Sequence, residues 1–175
     1  MNKKGFLTTK KIAYVGILVA LSVAINTLRI GSVSFGGFPI IFSGYVLGPG
    51  LGFVVGGLAD LVGFLIRPSS TGAFNPLFAL TSALTGAIPV IVTKSLGDKY
   101  PNLKLWKVLI GVLIGQTVTS VIIVPFAISI LYGKNTFWYY MTSAAIKQVV
   151  SIPIYSILVI SISKVLSKQL HFDKN

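Results

Sequence analysis

Apolar residues in this chain come in long runs, parted by short polar or Gly/Pro segments. That pattern suits helices immersed in hydrocarbon. A crossing takes about 20 residues, and the backbone there must satisfy its own hydrogen bonds. A soluble domain carries about a quarter charged residues, whereas Asp, Glu, Lys and Arg together make 10% of these 175 residues. The sequence therefore predicts an all-α membrane protein, a six-transmembrane-helix bundle with both termini cytoplasmic, forming one membrane-embedded domain over residues 1–175.

The expected spans are 12–28, 38–47, 51–66, 74–93, 108–131 and 137–165. The first is too long and too poor in a cleavage site to read as a secretory leader. The second, Phe38–Leu47, offers about ten residues where about twenty are usual, and the GPG of Gly48–Gly50 turns the chain after it. Pro89 should bend or end the fourth span. Pro125 should kink the fifth, and the sixth opens on an aromatic FWYY cluster.

Charge placement orients the bundle. Lys3, Lys4, Lys10, Lys11, Lys94, Lys99, Lys104, Lys107, Lys164, Lys168 and Lys174 fall on one side of a six-span chain. Arg29, Arg67, Lys134 and Lys147 fall toward the other. The positive-inside rule makes the lysine-rich side cytoplasmic. The net charge of +12 belongs to segments that meet lipid headgroups, which argues against nucleic acid as a partner.

Few residues suggest chemistry. The single histidine, His171, lies in a polar tail, and cysteine is absent, so neither a metal site nor a catalytic group is expected. No Walker motif is present. Asp60, deep in the third span, needs a partner such as Arg29 or Arg67, a hydrogen bond or a proton. Arg29, Arg67 and Lys147, with Gln148, place cationic and amide groups in the outer half, where an anionic or zwitterionic small molecule would suit them. Snorkelling is the alternative. Phe74, Asn75, Phe78 and the Phe137–Tyr140 cluster would line the same cavity, or, for the cluster, form an interfacial belt. Gly16, Ala20 and Ala24 share a helix face. They would admit either another helix of the bundle or a second membrane protein.

The stretch FGGFPIIFSGYVLGPGLGFVVGGLADLVGFLIRP, followed by GAFNPLFALTSALTGAIP, carries a P-x(8)-GP turn, a G-x(3)-D segment and an FNP-x-F helix start. Over about Ile12–Thr93 the chain resembles the membrane-embedded substrate-binding (S) component of energy-coupling factor (ECF) vitamin transporters. The resemblance implies a subunit of a bacterial cell membrane that captures a vitamin outside. A transmembrane coupling subunit would move it, and two ATP-binding subunits would use ATP and Mg; this chain itself would need no cofactor and would not be an enzyme. It also implies that Gly16, Ala20 and Ala24 meet the coupling subunit. Residues 31–37 and 67–73 would cover the ligand, and Asn75, Phe78, Gln116 and Lys147 would contact it. The start of the fourth span looks most like that of folate binders, with Arg29, Arg67 and Lys147 answering the glutamyl carboxylates. Another vitamin or precursor, or a self-sufficient channel or secondary transporter, stands as the alternative.

Overall fold

The structure, a computed structural model, describes residues 9–27, 35–66, 74–133 and 136–169. Its elements are α1 (Thr9–Thr27), α2 (Gly37–Leu47), α3 (Pro49–Ile66), α4 (Pro76–Ser95), α5 (Leu105–Gln116), a π-helical segment (Thr117–Ile123), α6 (Val124–Tyr132) and α7 (Thr136–Gln169). Among the described residues five stretches are long and apolar enough to cross a bilayer: α1, α3, α4, the continuous Leu105–Leu131 stretch, and α7. The chain is thus an all-α membrane protein. Large apolar side chains such as Ile17, Leu65, Phe126, Ile146 and Val149 cover its outer surface.

The sixth apolar element, α2, has 11 residues and rises about 16 Å, roughly half a hydrocarbon core. Its environment accounts for its shortness. Every residue from Phe38 to Tyr45 is buried, packed by α1, α3, α4 and α7. Backbone ends inside a membrane are tolerated where protein rather than lipid surrounds them. Ile41 of α2 joins Val55 of α3, Val108 and Val112 of α5 and Val159 of α7 in the core.

Glycine sets how closely the helices approach. A Cβ on Gly44 or on Gly52 would run into the carbonyl oxygen of Gly86, and one on Gly86 into that of Gly52. Helices α2, α3 and α4 therefore meet backbone to backbone at one point, an approach that only small residues permit. Gly48, at φ 96°, adopts the left-handed backbone that glycine takes without steric cost and turns α2 into α3.

The prolines are accommodated inside their spans, and Pro89 does not end its helix. Helix α4 passes through Pro89 to Ser95. The ring is received at Gly115 of α5, where a Cβ would stand 2.5 Å from Pro89 Cγ. The Pro89 carbonyl accepts from Thr93 Oγ1 at 2.9 Å and from the Tyr45 hydroxyl at 3.3 Å. Pro125 follows the π segment. A proline ring crowds the carbonyl four residues back, here that of Val121, which lies inside the widened π turns. Helix α7 likewise contains Pro153 and runs to Gln169, beyond the expected Val165.

The α4–α5 connection is locally built. Lys107 Nζ donates to Asp98 Oδ1 at 2.7 Å and to the Leu96 carbonyl at 2.6 Å. The Lys104 amide, at the open start of α5, donates to Asp98 Oδ2 at 2.7 Å. The Lys107 ammonium holds the Asp98 carboxyl below its usual range. A carboxyl depressed in the folded state stabilises at neutral pH, and that contribution is lost as pH falls through its folded value. Asp98→Asn should therefore lower the melting temperature in detergent at pH 7. The gap to wild type should close only below the ordinary carboxylate range, about pH 4. A gap that is constant across that range would show that the charge is not what matters.

Candidate functional site

The polar residues within the helices are not scattered. Ser22 and Asn26 of α1, Thr81 and Thr85 of α4, and Gln116 and Ser120 of the fifth span are each spaced four apart, on one helix face. These faces converge on a cavity of about 470 Å³, within the range that holds a small-molecule ligand. The C-terminal halves of α1 and α3 contribute Ser22, Asn26, Ala59 and Asp60. The start of α2 adds Gly37 and Ile40, and the first half of α4 adds Phe78, Thr81, Ser82 and Thr85. The fifth span supplies Gln116, Ser120 and Val124, and α7 supplies Gln148 and Tyr155. Successive helices run in opposite senses, so this end of the bundle lies away from the Asp98–Lys107 connection.

Internal bonds hold the wall in place. Ser22 Oγ donates to the Gly36 carbonyl at 2.8 Å, fixing the start of α2 on α1. Ser82 Oγ donates to Asp60 Oδ1 at 3.1 Å. Thr85 bonds to Thr119 across α4 and the π segment at 3.1 Å. Ser120 Oγ donates to Gln116 Oε1 at 2.6 Å, and Gln116 itself is 2% exposed. The Tyr155 ring stands edge-on to Phe35 at 6.3 Å and tilted toward Phe38 at 6.4 Å, giving the wall an aromatic corner between α2 and α7. The π segment lies against the wall; such widened turns recur at functional sites.

The residues singled out in the sequence divide into three groups. Phe78 and Gln116 line the cavity. Arg29 and Arg67, with residues 31–34 and 67–73, fall outside the described residues. Phe74, Asn75 and Lys147 are not in the wall. The Asn75 side chain accepts from the Leu77 amide at 2.9 Å and caps α4; that local bond is the partner its apolar setting called for. The Phe74 ring packs on Phe64 of α3 at 5.4 Å. Lys147 is exposed, and its neighbour Gln148 faces the cavity instead, because adjacent helical residues point about 100° apart.

Trp138 and Tyr139 are 67% and 71% exposed, so the FWYY cluster forms an outward aromatic band and not a ligand wall. Two of the three cations expected at the cavity, Arg29 and Arg67, lie outside the described residues. Among the described residues the cavity's one charged member is Asp60, with no Lys or Arg. Asn26, Thr81, Ser82, Thr85, Ser120 and Tyr155 went unremarked in the sequence, although polar residues recurring every fourth position within apolar helices were a usable signal.

Among the described residues no group of three or more His, Cys, Asp or Glu gathers where it would hold a metal ion.

The ECF transporter substrate-specific component family matches residues 10–163. The chain is 31% identical over 154 residues to the folate transporter FolT of Clostridium novyi (strain NT), spanning 88% of this chain and 81% of that protein. It also resembles the crystal structure of FolT bound with folic acid, with a TM-score of 0.74 and 25% identity, over 90% of this chain and 94% of that one.

Proposed function

The chain belongs to the substrate-specific components of ECF transporters, and we propose that its substrate is folate, captured at the outer face of a bacterial cell membrane. The observation that carries this reading is the cavity of about 470 Å³, built from all six membrane elements of a chain similar to FolT bound with folic acid. A flat pterin suits a pocket with aromatic groups at Phe78 and Tyr155 and amides at Gln116 and Gln148. Arg29 and Arg67, in the connections after α1 and α3, are assigned to the glutamyl carboxylates. Lys147 would act only from the rim, and Phe74 and Asn75 would shape the start of α4 beside the site.

In this reading the chain is a single unit of six spans with both termini inside, and it hydrolyses no ATP. A transmembrane coupling subunit and two ATPases complete the importer. The eleven-to-four distribution of basic residues supports the orientation, and it puts the cavity outside, opposite Lys99.

Two measurements on the whole protein test this. Purified protein titrated with folic acid should bind it saturably at one site. Binding another vitamin but not folic acid would leave the family standing and overturn the substrate. A Lys99→Cys variant, in a chain with no other cysteine, should resist a membrane-impermeant maleimide applied to intact cells. Labelling from outside would overturn the six-span orientation.

A further inference from the structure

The connection from α4 to α5 carries more positive charge than its own fold uses. Residues 94–107 hold four lysines and one acid. Asp98 is buried and accepts from the Lys107 ammonium and the Lys104 amide. Lys107 is committed three ways: to Asp98, to the Leu96 carbonyl, and to the Trp106 ring, whose centroid lies 5.5 Å from Nζ. Lys94, Lys99 and Lys104 are exposed. Among the described residues Lys107–Asp98 is the one salt bridge, and the other acid, Asp60, lies in the cavity wall at the far end of the bundle. Three ammonium groups are thus left without an acidic partner among the described residues. The bonds of the connection gather them. The Asp98 amide donates to the Thr93 carbonyl at 3.3 Å, turning the chain back at the end of α4. Lys99 pairs with Asn102 in an antiparallel bridge, so the chain reverses again between Lys99 and Lys104. Beside the lysines, Leu96, Leu105 and Trp106 are exposed, and α4 and α5 continue with exposed Ile91, Leu109 and Leu113. An indole at the end of a span belongs at headgroup level, and ammonium groups at that level meet lipid phosphates.

We infer that the α4–α5 connection is a binding site for an anionic phospholipid of the cytoplasmic leaflet, its headgroup held by Lys94, Lys99 and Lys104 and its acyl chains lying along Leu96, Leu105 and Trp106. The cations select the charge of the headgroup. The apolar shelf, continuous with the lipid-facing surface of α4 and α5, selects a lipid over an acidic segment of another protein. Asp98 serves the site by holding the start of α5 and by drawing Lys107 inward, which leaves the other three lysines to the ligand. The choice of leaflet rests on the proposed orientation; the preference for an anionic lipid does not.

Trp106 reports on the site directly. The chain has two tryptophans, so Trp138→Phe leaves Trp106 alone. That full-length chain is reconstituted in phosphatidylcholine bilayers with increasing fractions of phosphatidylglycerol or phosphatidylcholine brominated on the acyl chains, which quench a neighbouring indole. Brominated phosphatidylglycerol should reach half its quenching at a fraction about five- to hundred-fold lower than brominated phosphatidylcholine, since each lysine at an anionic surface contributes about fivefold. Lys94→Gln, Lys99→Gln and Lys104→Gln together should bring the two lipids to within about twofold of each other. Salt at 1 M, where charges are screened beyond about 3 Å, should do the same without any substitution. Lys10→Gln with Lys11→Gln, on α1, which packs on α2 and α3, should leave the preference in place. Equal quenching by the two lipids at low salt would overturn the site. So would a preference that survives the triple substitution, or one lost equally in the α1 variant, which would belong to the whole basic face. A triple variant that keeps the lipid preference but fails to retain the coupling subunit would assign these lysines to a protein partner instead.

Discussion

Replacing Ala20 with phenylalanine is expected to lower folate uptake by the assembled transporter sharply while leaving folate binding to the isolated subunit intact. The prediction starts from the way α1 packs. Its buried residues are Leu18, Val19, Ser22 and Val23. Ala13, Gly16, Ala20 and Ala24 are all exposed, and a Cβ placed on Gly16 would meet nothing within 4 Å. A small-residue face that served packing within the bundle would be covered by a neighbouring helix, as Gly52 and Gly86 are. This one points outward, flanked by Ile17 and Leu21 at 61% and 43% exposure. Small residues let a second helix approach closely in lipid, where hydrophobicity itself supplies no drive to associate.

We propose that this face receives a helix of the coupling subunit, which a phenyl ring at position 20 would force away. Overpacking of this kind costs about 1–3 kcal/mol, or roughly ten- to hundred-fold in association. The cavity lies on the other side of the helix, at Ser22 and Asn26. Folic acid affinity of the variant should therefore stay within about twofold of wild type, as for a surface change. Co-purification of the coupling subunit and titration of the isolated protein read the two effects separately. Loss of ligand binding together with the partner would mean that the Ala20 face supports the fold.

How much of this was legible in the sequence depends on the kind of signal. The apolar runs of α1, α3, α4 and the fifth and sixth spans reflect a length requirement imposed by the bilayer, and length is visible without coordinates. The shortness of α2 was visible too, but its cause was not, since enclosure by four other helices is a tertiary fact. Rotational phase was the weakest link. Helix α7 carries apolar residues all round, from Ile146, Val149 and Val150 on the outside to Ile152 and Val159 inside. No stripe therefore tells which of Lys147 and Gln148 faces inward, and the charge drew attention that belonged to the amide. Asn75 shows a local bond outweighing a distant one: an Asn before a Pro at a helix start has its own backbone to cap. Asp60 was conspicuous because a carboxylate in a span is costly, yet its hydrogen bond comes from Ser82 one helix away, and sequence separation does not reveal such a pair.

A single methyl group at Gly86 should destabilise the bundle far more than the same methyl at Gly63. At Gly86 the new Cβ would meet the carbonyl oxygen of Gly52 and, at 2.5 Å, its carbonyl carbon. Both are backbone atoms of α3 with no rotamer to move. The same point is crowded from the other sides, since a Cβ on Gly52 would stand 2.6 Å from Gly44 Cα. Relief requires α3 and α4 to separate. Their contact is the most extensive between any two helices, and Asp60, Ser82 and Thr85 of the cavity wall ride on it. Overpacking a close-packed core costs about 1–3 kcal/mol and at times more, and a backbone clash at a three-helix contact belongs at or above the top of that range. At Gly63 nothing lies within 4 Å of the added carbon, and alanine there gains up to about 1 kcal/mol of helix propensity. Gly86→Ala should therefore lower the melting temperature in detergent by many degrees or prevent a monodisperse species from forming. Gly63→Ala should match or exceed wild type. Folic acid binding should fall with the first and persist in the second. Equal melting temperatures for the two variants would show that α2, α3 and α4 do not meet through Gly44, Gly52 and Gly86.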